Sequence, residues 1–268
     1  MPNSLKTLRF ACLSVPRYLL RNVPSAALND GASLSRALDK YAETERFNEL
    51  HRKARIREVH AVELFGFNFE KVEVPFGAID EETGKVNQAE LLYVDAVAKF
   101  LKAKNIFEFG TYMGRTTYHL VGATPETRVT TLDLPPEGGS KTWPNLGNVY
   151  KGTDREARIT QILCDSHKFD PAPYAKQMDF IYVDGDHSYE GVKNDTLNAM
   201  EMLAPGGTMM WHDYGPSSDL GLTRFFVEFT RDKPVFRLKK SSLLVYRDGI
   251  DAMTFETWKM RANPKYSA

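Results

Sequence analysis

The stretch FEFGTYMGRTT, residues 107–117, decides the fold because it joins an apolar run to a helix through a turn with two glycines. The run 107–109 has the composition of a buried strand, and Gly110 permits a tight turn where that strand ends. Gly114 lets the backbone come close to a ligand, and the Arg-Thr-Thr run after it begins a helix. The stretch therefore predicts a strand–turn–helix unit with a ligand site at the turn.

Short apolar runs alternate with helical stretches along the rest of the chain. Runs typical of buried strands are NIFEFG, RVTTLDL, ITQILCDS, MDFIYVDGD and GGTMMWHDY, and helical stretches are 87–104 (with Asn87 as its cap), 115–123, 188–203 and 220–231. The segment VFRLKKSSLLVYR, residues 235–247, indicates two strands joined by a tight turn. This alternation predicts an α/β fold: a Rossmann-like, doubly wound, mostly parallel seven-stranded sheet with a C-terminal antiparallel hairpin.

Three regions differ in their patterns. Residues 1–85 are rich in charge with loosely helical spacing, which predicts an N-terminal helical extension that serves as a lid or in oligomerisation, or simply packs on the main domain. Residues 86–250 carry the strand–helix alternation of the main domain, and residues 251–268 form a C-terminal tail.

Composition limits the classes of partner. Lys plus Arg equals Asp plus Glu at 35 each, so net charge gives no reason to expect a nucleic-acid partner. The two cysteines suit a reducing compartment. No run reaches the roughly 20 apolar residues of a membrane span, and the N-terminal stretch SLKTLRFACLSVPRYLLRNVP is interrupted too early for a signal peptide. We expect a cytoplasmic protein without a membrane partner; an amphipathic N-terminal segment resting on a membrane or a partner subunit is the alternative.

Each predicted strand ends in polar groups, and parallel strands bring such ends together at one edge of the sheet. Glu108 stands just before the glycine turn, where its charge would repel a pyrophosphate and suit a cationic ligand. The spacing G-x-x-x-G also lacks the third glycine of a dinucleotide fingerprint. Both features disfavour a nicotinamide-dependent oxidoreductase. Asp133 ends the next strand and is placed to accept hydrogen bonds from ribose hydroxyls.

The motif EFGTYMGRTT resembles the first motif of the class I S-adenosylmethionine-dependent methyltransferases, notably the catechol O-methyltransferase-like branch. The stretch DGDHSYEGVKNDTLNAMEMLAPGGTMMWHDY is similar to the block around the fourth and fifth strands of small-molecule O-methyltransferases, including macrolide sugar enzymes. The resemblance covers about residues 87–247 and implies a cofactor site made by residues of the first four strand ends: Glu108, Gly110, Tyr112, Gly114, Asp133, Asp165, Ser166 and Asp184. In it, Asp165 and Ser166 flank the adenine.

The resemblance also implies a metal site. Carboxylates at the positions of Asp184 and Asp213 bind Mg²⁺ in the metal-dependent members, and His187 matches the general base of the macrolide sugar branch. His212 stands where that branch has an acid, and histidine suits transition metals better than Mg²⁺. Three alternatives stay open: His212 is not a ligand, the ion is another divalent cation, or no ion binds. We expect Asp186 to cap the helix that starts near residue 188.

The predicted function is thus S-adenosylmethionine-dependent O-methylation of a hydroxyl on a small molecule, such as a sugar, polyol or phenol, assisted by a divalent metal, with Asp184 and His187 in catalysis and Asp184, His212 and Asp213 as metal ligands. A metal-independent O- or N-methyltransferase is the alternative. The expected partners are a small-molecule acceptor and further copies of the chain in a homo-oligomer, with no nucleic acid.

Overall fold

The computed structural model describes residues 31–74, 88–135, 145–216 and 220–250. In these ranges the helices are α1 (Gly31–Lys53), α2 (Ala61–Phe65), α3 (Gln88–Leu101), α4 (Arg115–Leu120), α5 (Tyr189–Met202) and α6 (Leu220–Phe229). The strands are β1 (Arg57–Val59), β2 (Asn105–Phe109), β3 (Arg128–Asp133), β4 (Ile159–Leu163), β5 (Met178–Val183), β6 (Leu203–Trp211), β7 (Phe236–Leu238) and β8 (Leu244–Arg247).

The chain divides into two compact units, residues 1–48 and 49–268, and the sheet lies in the second. Several predicted features fall outside the described residues: the Asn87 cap, the N-terminal stretch up to residue 30 and the tail at 251–268. Among the residues described, no helix is both long enough and apolar enough to cross a bilayer.

The strands form one sheet in the order β1-β7-β8-β6-β5-β2-β3-β4. All neighbouring pairs are parallel except those of β8, which is antiparallel to both β6 and β7. The predicted α/β fold with a mostly parallel sheet and a C-terminal antiparallel hairpin is therefore confirmed. The predicted count of seven strands is wrong, because Arg57–Val59 in the N-terminal extension adds an eighth strand parallel to β7.

Each face of the sheet is covered by apolar packing. On α3, Leu91, Val94 and Ala98 lie on one side and are almost fully buried, as their helical spacing predicts. An aromatic group that includes Trp211 of β6 and Phe226 of α6 forms another part of the core, with the two ring centroids 5.1 Å apart. Full burial of one such side chain contributes about 1.5–3 kcal/mol.

The order of the strands creates a crevice between β2 and β5. From β2 the chain continues to β3 and β4 on one side, and then returns to place β5 on the other side of β2. This reversal is the switch point at which open α/β sheets bind ligands. The two central strand ends are joined directly there, because the amide of Asp184 donates to the carbonyl of Phe109 at 2.8 Å.

Candidate functional site

A cleft of about 540 Å³ lies at the carboxyl ends of strands β2 to β6. Nine of the residues that the sequence predicts for the cofactor, the metal and catalysis line it: Gly110, Tyr112, Asp133, Asp165, Ser166, Asp184, His187, His212 and Asp213. Glu108 and Gly114 do not line it. The structure thus brings most of the predicted site together at one edge of the sheet.

Gly110 makes the turn at the end of β2 possible. Its φ is +93°, and a Cβ at this position would lie 2.1 Å from the carbonyl oxygen of Asp184. Neither the left-handed backbone nor that approach tolerates a side chain. The predicted tight turn therefore has a specific cause, which is the close passage of the β5 strand end.

Asp133, predicted to hold ribose hydroxyls, also supports the turn. Its Oδ2 accepts hydrogen bonds from the amides of Thr111 and Tyr112 at 2.9 and 2.8 Å, and its Oδ1 accepts from the amide of Leu134 at 2.7 Å. The bonds to the turn hold Tyr112 in a left-handed conformation with φ 47° at the mouth of the cleft. A carboxylate has about four lone-pair sites, and these three amides leave one on Oδ1 that can accept from a ligand.

Glu108 lies beneath the turn rather than in the wall of the cleft. Its side chain is fully buried, and its Oε2 accepts from the hydroxyls of Thr117 at 2.5 Å and Thr131 at 2.7 Å. Burial raises the pKa of Glu108 to about 8 despite these two hydrogen bonds. The residue is thus a buried acid that favours its neutral form at neutral pH, which weakens the predicted attraction for a cationic ligand.

A hydrogen-bonded chain of side chains connects Glu108 to the segment that covers the turn. Thr131 is bonded to Thr111 at 2.7 Å, Gln161 donates to the Thr111 hydroxyl at 2.9 Å, and Tyr150 donates to the Gln161 carbonyl at 2.5 Å. The Tyr150 ring also fills the space above Gly114, where a Cβ would lie 2.5 Å from a ring carbon. The close approach that requires a glycine at position 114 is thus made by a tyrosine of the same chain, and the role of Gly114 at the cofactor stays a prediction.

The pair predicted to flank the adenine lies on a loop that α5 holds in place. Asp165 accepts from the amide of His167 at 3.0 Å, and this bond lowers the pKa of its half-exposed carboxyl. The carbonyl of Ser166 accepts from the Asn194 amide group at 2.9 Å. Asp195, also in the cleft wall, is 1% exposed, and burial raises its pKa. Sequence reasoning missed Asn194 and Asp195, because a polar pair inside an amphipathic helix reads as its solvent-facing side.

The residues around Asp186 differ in detail from the prediction. Ser188 is the N-cap of α5, since its Oγ accepts from the amide of Gly191 at 3.1 Å. Asp186 accepts from the amide and the hydroxyl of Ser188 at 2.9 and 2.7 Å. The expected Asp186 cap is therefore wrong by two positions, and Asp186 instead fixes the residue that caps the helix.

Two imidazoles and two carboxylates meet at the ends of β5 and β6. His212 Nδ1 lies 3.3 Å from Asp184 Oδ1 and 3.2 Å from Asp213 Oδ1. His187 Nε2 lies 3.5 Å from Asp184 Oδ1 and 3.5 Å from Asp213 Oδ2. Asp213 adopts a left-handed conformation with φ 60°, a costly geometry for a residue with a side chain.

The charges in this cluster reinforce one another. Burial opposes protonation of His212, but Asp184, Asp213 and Glu90 outweigh it and raise the pKa of His212 to about 12. Burial likewise opposes ionisation of Asp184, yet its contacts with His187 and His212 lower the pKa of that carboxyl. The adjacent Asp184 carboxylate raises the pKa of His187. The ionised form of Asp184 and the protonated form of His212 therefore stabilise each other.

The donor set also fits a divalent cation. One ligand atom each from Asp184, His212 and Asp213 lies within 4.8 Å of the others. The Nε2 of His187 is buried and has no hydrogen-bond partner among the described residues, so a group with affinity for a nitrogen lone pair would satisfy it. Carboxylates mixed with imidazole suit a transition-metal ion better than Mg²⁺.

Sequence reasoning missed Glu90, a residue in the first turn of α3 that reaches the same cluster. Its Oε2 lies 3.2 Å from His212 Nε2, and its Oε1 accepts from the amide of Ser242. Glu90 is only 5% exposed. An acid at the start of a helix reads as a favourable partner of the helix dipole, and no local pattern links it to a histidine 122 residues away.

Comparisons with known proteins bear on the family and on the fold. Residues 107–214 match the model of a family described as a methyltransferase domain, which confirms the resemblance stated above. No curated protein sequence matches the chain.

Several solved structures are similar in fold. The SAH-bound methyltransferase PaMTH1 of Podospora anserina is 15% identical with a TM-score of 0.50, over 78% of this chain and 96% of that one. Cofactor-bound Rv0187 from MTB is 17% identical with a TM-score of 0.49, over 71% and 89% of the two chains. The O-methyltransferase TomG of Streptomyces achromogenes, in complex with SAM, is 14% identical with a TM-score of 0.48, over 77% and 99%. At such identities, the likeness to PaMTH1 supports the fold alone.

Proposed function

Because residues 107–214 match a methyltransferase domain, we propose that the chain is a class I S-adenosylmethionine-dependent enzyme that methylates a hydroxyl group of a small molecule with the help of a divalent cation. The observation that carries the proposal is the cluster of Asp184, His187, His212 and Asp213 in the wall of the cleft, directly beside the turn at Gly110. A cofactor held by the turn would thus have metal-ligating and basic groups next to it.

The cleft offers the groups that a nucleoside with a positive charge needs. We propose that Asp133 accepts from the ribose hydroxyls, that Asp165 and Ser166 contact the adenine, and that the backbone at Gly110 and Tyr112 holds the methionine part. The wall also contains Asp184, Asp186 and Asp213, so its charge would repel the pyrophosphate of a dinucleotide and attract a sulfonium. This argues against a nicotinamide-dependent oxidoreductase.

We propose that Asp184, Asp213 and His212 hold the cation, which when bound would orient vicinal hydroxyls and lower the pKa of one of them. His187 lies within 3.5 Å of both carboxylates and is placed to take the hydroxyl proton on Nε2. The acceptor oxygen then attacks the methyl group of S-adenosylmethionine in line, forming the O–CH₃ bond as the C–S bond breaks. The histidine in the ligand set favours Mn²⁺, Fe²⁺ or Co²⁺ over Mg²⁺.

One observation favours a second candidate, a methyltransferase that needs no metal. His212 Nδ1 already lies between Asp184 and Asp213, at 3.3 and 3.2 Å, where a protonated ring supplies a positive charge. The raised pKa of His212, about 12, keeps that charge at neutral pH. In this candidate His187 still takes the proton, and the acceptor atom is an oxygen or a nitrogen that needs no Lewis acid.

Two experiments test the proposal. Calorimetric titration with S-adenosylmethionine and with NAD decides the cofactor class, and absence of heat with the former would refute a methyltransferase. Transfer of a labelled methyl group to sugars, catechols and phenolic acids is then measured after chelation and after addition of Mn²⁺, Co²⁺ or Mg²⁺. Loss of transfer on chelation and in Asp213→Asn, with Asp232→Asn as an exposed control, supports the metal; full turnover in both supports the second candidate.

The acceptor, the oligomeric state and the role of the N-terminal extension stay predictions. We propose a small-molecule acceptor and a homo-oligomer, as expected from the sequence. Native mass spectrometry tests the second of these directly.

A further inference from the structure

Glu90 is a buried carboxylate with two partners that belong to different parts of the site. Its Oε2 lies 3.2 Å from His212 Nε2 at the end of β6, and its Oε1 accepts from the amide of Ser242 in the turn between β7 and β8. The exposed fraction of Glu90 is 5%. Burial of a carboxylate is costly unless it is paired, and these two contacts satisfy both of its oxygens.

The contact with Nε2 determines how the His212 ring is used. A carboxylate accepts hydrogen bonds, so the proton between the two groups belongs to Nε2. The other nitrogen, Nδ1, then faces Asp184 and Asp213 at 3.3 and 3.2 Å. A ring flip would place a carbon atom against Glu90, so this contact fixes the orientation of the imidazole.

Ser242 also connects Glu90 to the backbone of Asp213. While its amide donates to Glu90, its hydroxyl accepts from the amide of Asp213 at 3.2 Å. The backbone of Asp213 is left-handed with φ 60°, a conformation that needs support from its surroundings. The amide of Tyr214 also donates to the carbonyl of Ser242 at 2.9 Å. The turn between β7 and β8 therefore holds the segment that carries His212 and Asp213.

We propose that Glu90 is a positioning residue of the site: with Ser242, it fixes the His212 ring so that Nδ1 points at the cation position between Asp184 and Asp213. That Nδ1 binds a cation rests on the function proposed above, whereas the orientation of the ring is independent of that function. Carboxylates that hold a metal-ligating imidazole in this way increase metal affinity about 10- to 100-fold.

The test uses the full chain with Glu90→Ala and Glu90→Gln. Asp95→Asn is the matched control, because Asp95 is a 2% exposed carboxylate on the same helix that is bonded to Lys99 at 3.0 Å and not to His212. Mn²⁺ affinity is measured by calorimetry in the absence of acceptor. We expect Mn²⁺ to bind to Glu90→Ala about 10- to 100-fold more weakly than to the parent chain. The loss of affinity should be smaller in Glu90→Gln, and Asp95→Asn should bind Mn²⁺ as the parent chain does.

A second readout needs no metal. The chain has six histidines, and long-range ¹H–¹⁵N correlations of ¹⁵N-histidine-labelled protein assign the ring nitrogen that carries each proton. For His212 we expect an exchange-protected proton on Nε2, which becomes unprotected in Glu90→Ala and shifts in Glu90→Gln. If Glu90→Ala does not fold, Glu90→Gln gives the same comparison.

The two readouts separate the possible failures. An unprotonated Nε2 in the parent chain, or equal Mn²⁺ affinity in the parent and both Glu90 variants, would overturn the role of Glu90. If the parent chain binds no Mn²⁺ while the Nε2 proton depends on Glu90, the metal proposal fails and the positioning role stands. If the Glu90 variants lose both Mn²⁺ affinity and the protected proton on His212 Nε2, while Asp95→Asn keeps both, the two proposals are supported.

Discussion

Replacement of Glu108 by glutamine should make the protein more stable at alkaline pH. The buried carboxyl has its pKa raised from the ordinary value of 4.5 to about 8. A folded pKa above the unfolded one means that the folded state holds a proton that the unfolded state releases. The stability contributed by this group is therefore fully present below pH 4.5 and is lost as the pH rises towards 8. Glutamine keeps the shape and an acceptor for Thr117 and Thr131, but does not titrate.

The size of the effect follows from the shift. One pKa unit corresponds to 1.36 kcal/mol, so a shift of about 3.5 units is worth about 5 kcal/mol over the whole range. Between pH 5.5 and 7.5 the unfolding free energy of Glu108→Gln should gain about 2.7 kcal/mol on the parent chain. That difference corresponds to roughly 5–10 °C in Tm for a chain of this size.

Urea unfolding at half-unit pH steps from 5 to 8.5 measures the difference, with Glu126→Gln on an exposed loop as the control. A parent-minus-variant difference that is constant with pH would refute the reasoning, because it would show that Glu108 is ionised in the folded protein throughout this range. The reasoning predicts that this difference falls as the pH rises, and a difference that rises instead would show that the Thr117 and Thr131 hydroxyls outweigh burial.

Three further predictions concern the turn and its cover. Gly110→Ala should lower the free energy of unfolding by about 1–2 kcal/mol because of the left-handed backbone, and further because the new side chain meets Asp184. Gly206 also has a positive φ of +77° but open space around it, so Gly206→Ala should show only the backbone effect, and thermal unfolding compares the two variants. Tyr150→Phe keeps the ring over the turn but removes the bond to Gln161, and should cost about 1 kcal/mol in urea unfolding; no change would show that this hydroxyl is equally well solvated. Asp133→Asn should weaken S-adenosylmethionine binding about tenfold or more by calorimetry, because a hydrogen bond to a charged group contributes about 1.5–3 kcal/mol; unchanged affinity would remove Asp133 from the site.

The converging strand ends could be predicted from the sequence because each buried run stops at a polar residue. Asp184 directly follows β5, and His212 and Asp213 directly follow β6, so the parallel pairing of these strands places them side by side. The turn at Gly110 could be predicted as well, because a glycine directly after an apolar strand indicates a tight turn. These features depend on the residue types and on the direction of the strands, both of which a sequence shows.

The rest depends on distant pairings that no local pattern contains. Glu90 reaches His212 only because the sheet order places α3 beside the end of β6, and Tyr150 covers Gly114 from a connection without periodicity. The burial that raises the pKa of Glu108 is likewise a property of the packed structure, and a sequence shows only a carboxylate beside a turn. β1 was missed because three residues, two of them charged, have too short a pattern to indicate a strand.

The pairing of β1 with β7 has a practical consequence for where the chain can be cut. The amide of Lys239 donates to the carbonyl of Val59 at 2.9 Å, and Arg237 lies 3.4 Å from Glu58, so the short strand covers one entire side of β7. A shortened protein that begins at residue 86 would leave that side with unpaired amides and carbonyls, an arrangement that promotes edge-to-edge association. We expect it to elute from a sizing column as large assemblies, and a version that begins at residue 49 to elute as the full chain does.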